Sequence, residues 1–174
     1  KKSSIFLVGL LLFTTSCEEV DDLTKFDIEY EKSFTIGAAV NIGEPISVST
    51  PDITTNYEEK FSGNDTEKDL VEKIFMKDLV LSLQSPEESD LSFLKRLTIY
   101  INAEGMQQTE IATRESISDD VGSTLEMETS KADLKEYIFK DSFNLRVKVT
   151  TDETFTQDHE INAAMVFTVD AEIL

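Results

Sequence analysis

The amino-acid sequence predicts a mainly β fold: a two-sheet antiparallel β-sandwich with two or three short helices in the connections. Six to eight segments alternate apolar and polar residues, and a period of two puts successive side chains on opposite faces of an extended chain. Segments with one apolar face suit antiparallel sheets that bury one side and wet the other. The regular strand and helix rhythm that is typical of doubly wound parallel sheets is missing.

The first strand pattern begins at Phe26. Apolar residues of one parity run from there through Val40 to Ile42. Gly37 and Gly43 predict a bulge and a turn, so one bent strand and a hairpin both fit this stretch.

Further alternating segments predict the remaining strands, and two capping boxes predict short helices. In a capping box a hydroxyl oxygen accepts an orphan backbone N–H, and the acid three residues on reaches back. Thr66 and Asp69 form the first box, which predicts a helix over 67–73. Ser130 and Asp133 form the second, which predicts a helix over 131–140. The strands are 46–48, 75–83, 97–101, its hairpin partner 109–114, 125–127, 143–150 and 161–171. We expect the last two strands to pair with each other and close the domain.

The N-terminal residues have the pattern of an export signal. Lys1 and Lys2 precede a nine-residue apolar run over 5–13, which small residues close. A membrane-spanning helix needs about 20 apolar residues, so the run is too short to be one. The stretch Thr14-Thr15-Ser16-Cys17 resembles the lipobox of bacterial lipoproteins, a family in which the cysteine is lipidated and becomes the new N-terminus.

That resemblance implies three parts: a signal peptide over 1–17 with lipidation at Cys17, an acidic tether over 18–24, and a single β-sandwich domain over 25–174. The alternative is an ordinary secretory signal with an incidental cysteine. Four acids in the first five residues of the tether are similar to signals that move lipoproteins to the outer cell surface. We therefore expect a protein lipid-anchored at the bacterial outer membrane, on the cell surface rather than the periplasmic face.

The charge of the chain restricts its partners. The full sequence has a formal net charge of −19, and without the two leader lysines 14 basic residues face 35 acidic ones, a net charge of −21. Such a charge repels nucleic acid and anionic headgroups. The expected partners are the membrane, through the lipid on Cys17, and another envelope or surface protein. Because Cys17 is the only cysteine, no disulfide forms within the chain, and packing alone stabilises the domain.

The residue inventory argues against an enzyme, and no catalytic residue or cofactor is expected. The chain has one histidine, no second cysteine, no Gly-x-Ser-x-Gly and no phosphate-binding glycine loop. A Ser/His/Asp triad stays formally open because Asp158 and Glu160 flank His159, but a histidine at the polar start of a strand is expected on the surface. A catalytic pair of carboxylates also stays open, although the absence of tryptophan weakens sugar chemistry.

No metal site is expected, and two loops are weak calcium candidates. Hard oxygen ligands cluster there, which is the chemistry calcium prefers, but neither loop matches an EF-hand. The candidates are Asp65, Glu67 and Asp69 in the first loop and Asp119 and Asp120 in the second.

Three functions remain open at this point. The favoured one is a non-enzymatic, lipid-anchored interaction or structural module that docks through loops or an exposed strand edge. The alternative is a carrier whose sheets part around an apolar ligand, an idea prompted by eleven phenylalanines. The second alternative is calcium-assisted surface adhesion. The ligand-binding residues of a carrier are not identifiable from the sequence.

Overall fold

The structure, a computed structural model, describes residues 24–38 and 41–172. Its architecture is the predicted one: mainly β, with two antiparallel sheets packed as a sandwich and two short α-helices in the connections. The predicted signal peptide and most of the predicted tether, residues 1–23, lie outside the described residues.

Ten strands occur in the described part of the chain. They are β1 (Lys25–Ile36), β2 (Ile46–Ser49), β3 (Ile53–Thr54), β4 (Val71–Ser85), β5 (Leu94–Asn102), β6 (Thr109–Arg114), β7 (Thr124–Glu126), β8 (Glu128–Thr129), β9 (Ser142–Thr151) and β10 (His159–Ala171). Sheet 1 has the order β1-β10-β4-β7. Sheet 2 has the order β2-β9-β5-β6-β8, and β3 also pairs with β9. The predicted hairpin of β5 and β6 is confirmed.

The predicted pairing of the last two strands is wrong. β9 lies in sheet 2 beside β5, whereas β10 lies in sheet 1 between β1 and β4. Alternation shows which face of a strand is buried, and both strands do bury the face that carries their alternating apolar residues. It does not identify the neighbouring strand, and the loop after Thr151 carries the chain from one sheet to the other.

β1 is one continuous strand that stops before the end of its sequence pattern. It ends at Ile36, and the chain turns at Gly43, whose φ of +77° lies in the left-handed region that glycine enters without strain. Ile42, which the parity placed inward, is 55% exposed, because it lies in this turn and not in the strand. Val40 lies outside the described residues.

The helix predicted over 67–73 is not formed. A 3-10 turn (Lys68–Leu70) without a side-chain cap occupies the start of this stretch, and β4 begins at Val71. Val71 and Ile74 are buried in sheet 1, and the bonds and burial gained there outweigh those of a short helix, which is marginal alone. Helix α1 (Tyr57–Ser62) forms instead, in a stretch with little periodic signal.

The second predicted helix is present but short. Helix α2 (Lys135–Ile138) occupies part of the predicted 131–140. Asp133 Oδ1 accepts hydrogen bonds from the backbone N–H of Lys135 at 3.1 Å and of Ile74 at 3.2 Å. The predicted capping box is not formed, because α2 follows Leu134 without a side-chain cap and the Ser130 hydroxyl donates to the Glu110 carbonyl. Asp133 instead joins the start of the helix to the edge of β4.

The inward face of β4 changes parity along the strand. Ile74 and Met76 are buried at even positions, and Leu79 and Leu81 are buried at odd ones. The pairing with β10 shifts register at this point, between Val166 and Phe167 of β10. The bulge keeps apolar side chains on the core face although the sequence pattern slips by one residue.

The core fills the space between the sheets. Tyr30 of β1 and Phe167 of β10 meet Phe143 of β9 edge-on, with ring centroids 5.4 to 6.0 Å apart. Further core side chains from both sheets have no exposed surface: Leu79, Leu81, Leu97, Ile99, Leu145, Val147, Ile161 and Ala163. A cavity large enough for a water molecule beside one of these side chains would give that side chain accessible surface. Because they have none, the packing around them is tight.

Candidate functional site

The calcium candidates lie on two exposed loops. Asp65 and Glu67 follow α1, and Asp69 lies in the adjacent 3-10 turn. In the second loop, Asp120 accepts a hydrogen bond from the Ser118 hydroxyl. In the described part of the chain, no group of three or more His, Cys, Asp or Glu side chains is placed to hold a metal ion. Calcium binding stays a prediction, as does lipidation of Cys17, which lies outside residues 24–172.

His159 is not on the surface as expected, and only 4% of it is exposed. Its ring packs against those of Phe93 and Phe155, with centroids 4.4 and 4.6 Å away, and the two phenylalanine rings also contact each other at 4.8 Å. The expectation failed because Phe93, which is distant in sequence, and Phe155, in the loop just before β10, both fold over the start of this strand, and strand alternation does not indicate that.

The structure brings Ser89 to this histidine, but without a carboxylate. His159 Nδ1 lies 3.1 Å from the Gln157 carbonyl, which can only accept, so Nδ1 carries the proton and Nε2 accepts from the Ser89 hydroxyl at 3.0 Å. Burial lowers the pKa of His159. The neighbouring Asp158 carboxylate accepts the backbone N–H of Ala38 instead. The Ser89–His159 pair thus links the loop of Ser89 to the start of β10, and no carboxylate of a described residue hydrogen-bonds to the histidine as the third member of a triad would.

The feature with the clearest capacity for recognition is the outer edge of β1. All twelve residues of this strand pair with β10, without a register shift, and β1 is the last strand of sheet 1 on that side. The remaining sheet ends are short, because β7, β2, β3 and β8 have between two and four residues each. β1 is therefore the longest edge strand in the described part of the chain.

The direction of the β1 backbone groups follows from its neighbours. The Leu83 N–H and the Leu79 carbonyl of β4 bond to segments on the side away from β10, so odd-numbered residues here direct their backbone groups away from β10. Even-numbered Ser82 therefore directs its backbone groups toward its partner Asn162 of β10. Asn162 then turns its backbone groups toward β4, away from its other partner, Ser33. By this alternation, odd-numbered residues of β1 direct their N–H and C=O groups outward.

One of the outward groups has a bonding partner among the described residues. Lys60 of α1 donates to the Glu29 carbonyl at 3.3 Å, which agrees with the outward direction of odd residues, and its ammonium lies 4.8 Å from the Tyr30 ring. No further hydrogen bond within residues 24–38 and 41–172 covers the outward backbone groups of Glu31, Ser33 or Thr35. We refer to the outward groups of these three residues as the free edge.

An open cleft of about 700 Å³ runs along the free edge. Residues 31–35 form one wall, and Ser49 and Pro51 at the end of β2 form part of the other. Glu160 and Asn162 of β10 also line it. The cleft gives an extended segment access to the backbone of β1, and its lining is mostly polar.

Sequence reasoning anticipated an exposed strand edge in general but not which strand provides it. Edge position depends on the strand order, which alternation does not encode. The only local signal is Lys32 within an otherwise regular pattern, since a charged residue in a strand is common at edges.

No helix in the part of the chain that the structure describes is long and apolar enough to span a membrane.

Comparisons with known proteins give no family. No protein-family model matches the chain, and no curated protein matches it. Among solved structures, a chain of the Desmodium yellow mottle tymovirus is similar at 11% identity, with a TM-score of 0.25, over 99% of this chain and 98% of that one. A likeness at that TM-score carries no argument about fold or function.

Proposed function

We propose that this protein is a lipid-anchored, non-enzymatic docking module of the bacterial cell envelope, and that its partner adds a strand to the free edge of β1. The observation that carries the proposal is the run of outward backbone groups at Glu31, Ser33 and Thr35, which have no bonding partner among the described residues. An extended segment bound there gains main-chain hydrogen bonds, the basis of β-strand addition.

The position of β1 suits an anchored protein. Lys25, its first residue, is eight residues after Cys17, a separation that an extended chain spans in at most about 29 Å. A lipid on Cys17 would hold the docking strand close to the outer membrane, on the cell surface as the acidic residues after Cys17 favour. A partner embedded in or attached to the same membrane could then reach it.

The charge of β1 favours a different protein over a second copy as partner. Glu29 and Glu31 are exposed on the strand. Antiparallel pairing of two β1 strands about Glu31 would place like charges opposite or diagonal to each other, which is destabilising. The acidic side chains thus oppose self-association, as charges on natural edge strands do.

The packing of the core favours docking over the carrier alternative. Phe167, Phe143 and Tyr30 pack against one another across the sheets. Side chains such as Leu81 and Leu145 have no exposed surface. An apolar ligand between the sheets would require these contacts to open.

Crosslinking in living cells tests the docking site. A photoreactive amino acid replaces Thr35, and the crosslinked product is compared in chains with Ser33→Pro and Ser33→Ala. Proline removes one outward N–H and blocks strand addition, whereas alanine keeps the N–H. We expect the product to persist with alanine and disappear with proline. A product that survives Ser33→Pro would rule out the β1 edge as the docking site.

Intact mass tests the anchor. The wild-type chain and Cys17→Ala are expressed in a lipoprotein-competent bacterium, and membrane and soluble fractions are weighed separately. We expect a diacylglyceryl-sized increment on the wild type alone. If both chains are soluble and unmodified, the anchored module is replaced by a secreted one.

A further inference from the structure

Beside the first half of β1, helix α1 and the residue that follows α2 form a cluster of aromatic rings. The rings of Tyr57, Phe61 and Phe139 lie 5.6 to 6.1 Å apart. Phe61 also meets Phe26 of β1 edge-on at 6.0 Å, which fixes the cluster to the docking strand. Phe61 is buried, whereas Tyr57 and Phe139 are partly exposed and present ring surface to solvent.

This ring surface already holds a cation from the chain itself. Lys68 Nζ lies 4.8 Å from the centroid of the Phe139 ring and 6.0 Å from that of Tyr57. Both distances are within the range in which an ammonium is attracted to an aromatic face. The exposed Lys68 side chain therefore shows that these rings accept an ammonium group.

The surroundings of the rings are negatively charged. Open clefts of about 550 and 400 Å³ lie on the two sides of Tyr57. Their carboxylates are Glu58, Asp65 and Glu67 in the larger cleft and Glu58, Glu59 and Asp141 in the smaller one. None of these five carboxylates forms an ion pair with a described residue.

The pKa of Tyr57 reflects the same surroundings. Burial raises it first, and the negative charges of Glu58 and Asp141 raise it further. Five acids against Lys68 leave the two clefts with an excess of negative charge that a cationic group from outside would neutralise.

We propose that the larger cleft, here named the α1 cleft, binds the ammonium or guanidinium group of a Lys or Arg side chain carried by the docking partner, displacing Lys68 from the rings. The proposal rests on the docking function in one respect, the identification of the partner as the source of the cation. Phe61 lines the cleft and meets Phe26 of β1, so the cleft adjoins the strand on which the partner would lie.

The test uses a small cation in place of the partner. The full-length lipidated chain in nonionic detergent micelles, with labelled Phe and Tyr rings, is titrated with N-acetyl-lysine N-methylamide and followed by NMR. N-acetyl-norleucine N-methylamide serves as the neutral isostere. We expect saturable shifts of the Tyr57 and Phe139 ring signals with the lysine compound alone. Equal shifts with norleucine would overturn the proposal.

Two variants sharpen the test, with a charge-matched control. Lys68→Met removes the resident cation and is expected to lower the Kd of the lysine compound about threefold or more. Glu58→Gln with Glu67→Gln is expected to raise it by a similar factor. Lys148→Met makes the same charge change on an exposed position of β9 and is expected to leave the Kd within about twofold. An unchanged or weaker affinity of Lys68→Met would contradict displacement.

The outcome is separable from that of the docking proposal. Ser33→Pro lies outside the α1 cleft and is expected to leave lysine binding unchanged. If lysine binds but the crosslinked product survives Ser33→Pro, docking at the β1 edge fails alone. If the product depends on Ser33 but lysine does not bind, the cation site fails alone.

Discussion

Two long strands of sheet 1, β1 and β4, differ in how the edges that face away from β10 are covered. On the far side from β1, β4 bonds to β7 over only three residue pairs, yet connecting segments cover most of its remaining length. Two β4 groups donate: the Leu83 N–H to Ser123 O and the Ile74 N–H to Asp133 Oδ1. Four β4 carbonyls accept: Leu79 O from Met127 N–H, Lys77 O from Thr129 Oγ1, Ile74 O from Leu134 N–H and Glu72 O from Lys135 Nζ. The outward backbone groups of β1 have one such bond in the described chain, from Lys60.

This difference indicates that an exposed edge is not a general property of the fold. The segment over 123–135 covers much of the β4 edge with these bonds, so the chain is able to cover an edge where pairing would be harmful. Along Glu31, Ser33 and Thr35, no described residue does so. We interpret the β1 edge as kept open for a partner.

A matched pair of prolines should give the largest contrast. Ser33 of β1 and Ser82 of β4 lie on either side of the same residue, Asn162. Ser82→Pro removes a ladder bond within the sheet and is expected to cost about 3 kcal/mol or more of unfolding free energy. Ser33→Pro removes an outward N–H and is expected to cost about 1 kcal/mol or less. Urea unfolding measures both, and equal losses would refute the assigned direction of the β1 backbone.

Loss of the Asp133 carboxylate should have the next largest effect. Its Oδ1 accepts from Ile74 N–H and Lys135 N–H, so Asp133→Ala leaves two donors without their partner. We expect a cost of about 1–2 kcal/mol in thermal or urea unfolding. Asp133→Asn keeps an acceptor oxygen and should retain more of the stability. If alanine and asparagine are equally destabilising, charge rather than covering of the β4 edge is responsible.

A smaller effect is expected at the end of β1, where Ile36 pairs with His159. Burial lowers the pKa of His159 in the folded state, so as pH falls below about 6.5 the unfolded chain takes up the proton first. This group therefore contributes stability that is lost as pH falls from about 6.5 toward the folded-state pKa. Unfolding of the wild type and His159→Gln between about pH 7.5 and 5.5 measures it. The wild type should lose more stability than the variant, and parallel curves would contradict the expectation.

The smallest effect concerns the single covering bond of β1. Lys60→Met removes the hydrogen bond to the Glu29 carbonyl and the cation over Tyr30, at an expected cost of about 0.5 kcal/mol. Lys148→Met controls for the charge. A loss above about 2 kcal/mol would mean that the first half of β1 is as firmly covered as β4.

The sequence pattern predicted strands and faces well and their neighbours poorly. The alternation of β9 identified its buried face, because a period of two is a local property. Its pairing depends on the whole strand order, and β10 proved to lie in the other sheet. The inward positions of Ile74 and Met76 in β4 could not be predicted from alternation either. They follow from the bulge in β4, whose register shift depends on the pairing with β10.

Short helices and the site were harder to predict. α1 has six residues, with Tyr57 and Phe61 as its main helical signal, whereas the stronger capping signal at Thr66 lies before a strand. Burial of His159 depends on Phe155 in the preceding loop and on Phe93, which is distant in sequence. The free edge and the α1 cleft likewise arise from long-range arrangement, which spacing along the chain does not contain.

The order of the strands also has a mechanical consequence. Of the described strands, β1 is the nearest in sequence to Cys17, and it is also the strand that we propose the partner binds. If Cys17 carries the lipid that we propose, tension between a partner and the membrane would pass from the bound strand into β1 and on to the lipid. Neither the bonds between β1 and β10 nor the contacts between the two sheets would lie in its path. The attachment could therefore withstand a pull that exceeds the unfolding resistance of the rest of the domain.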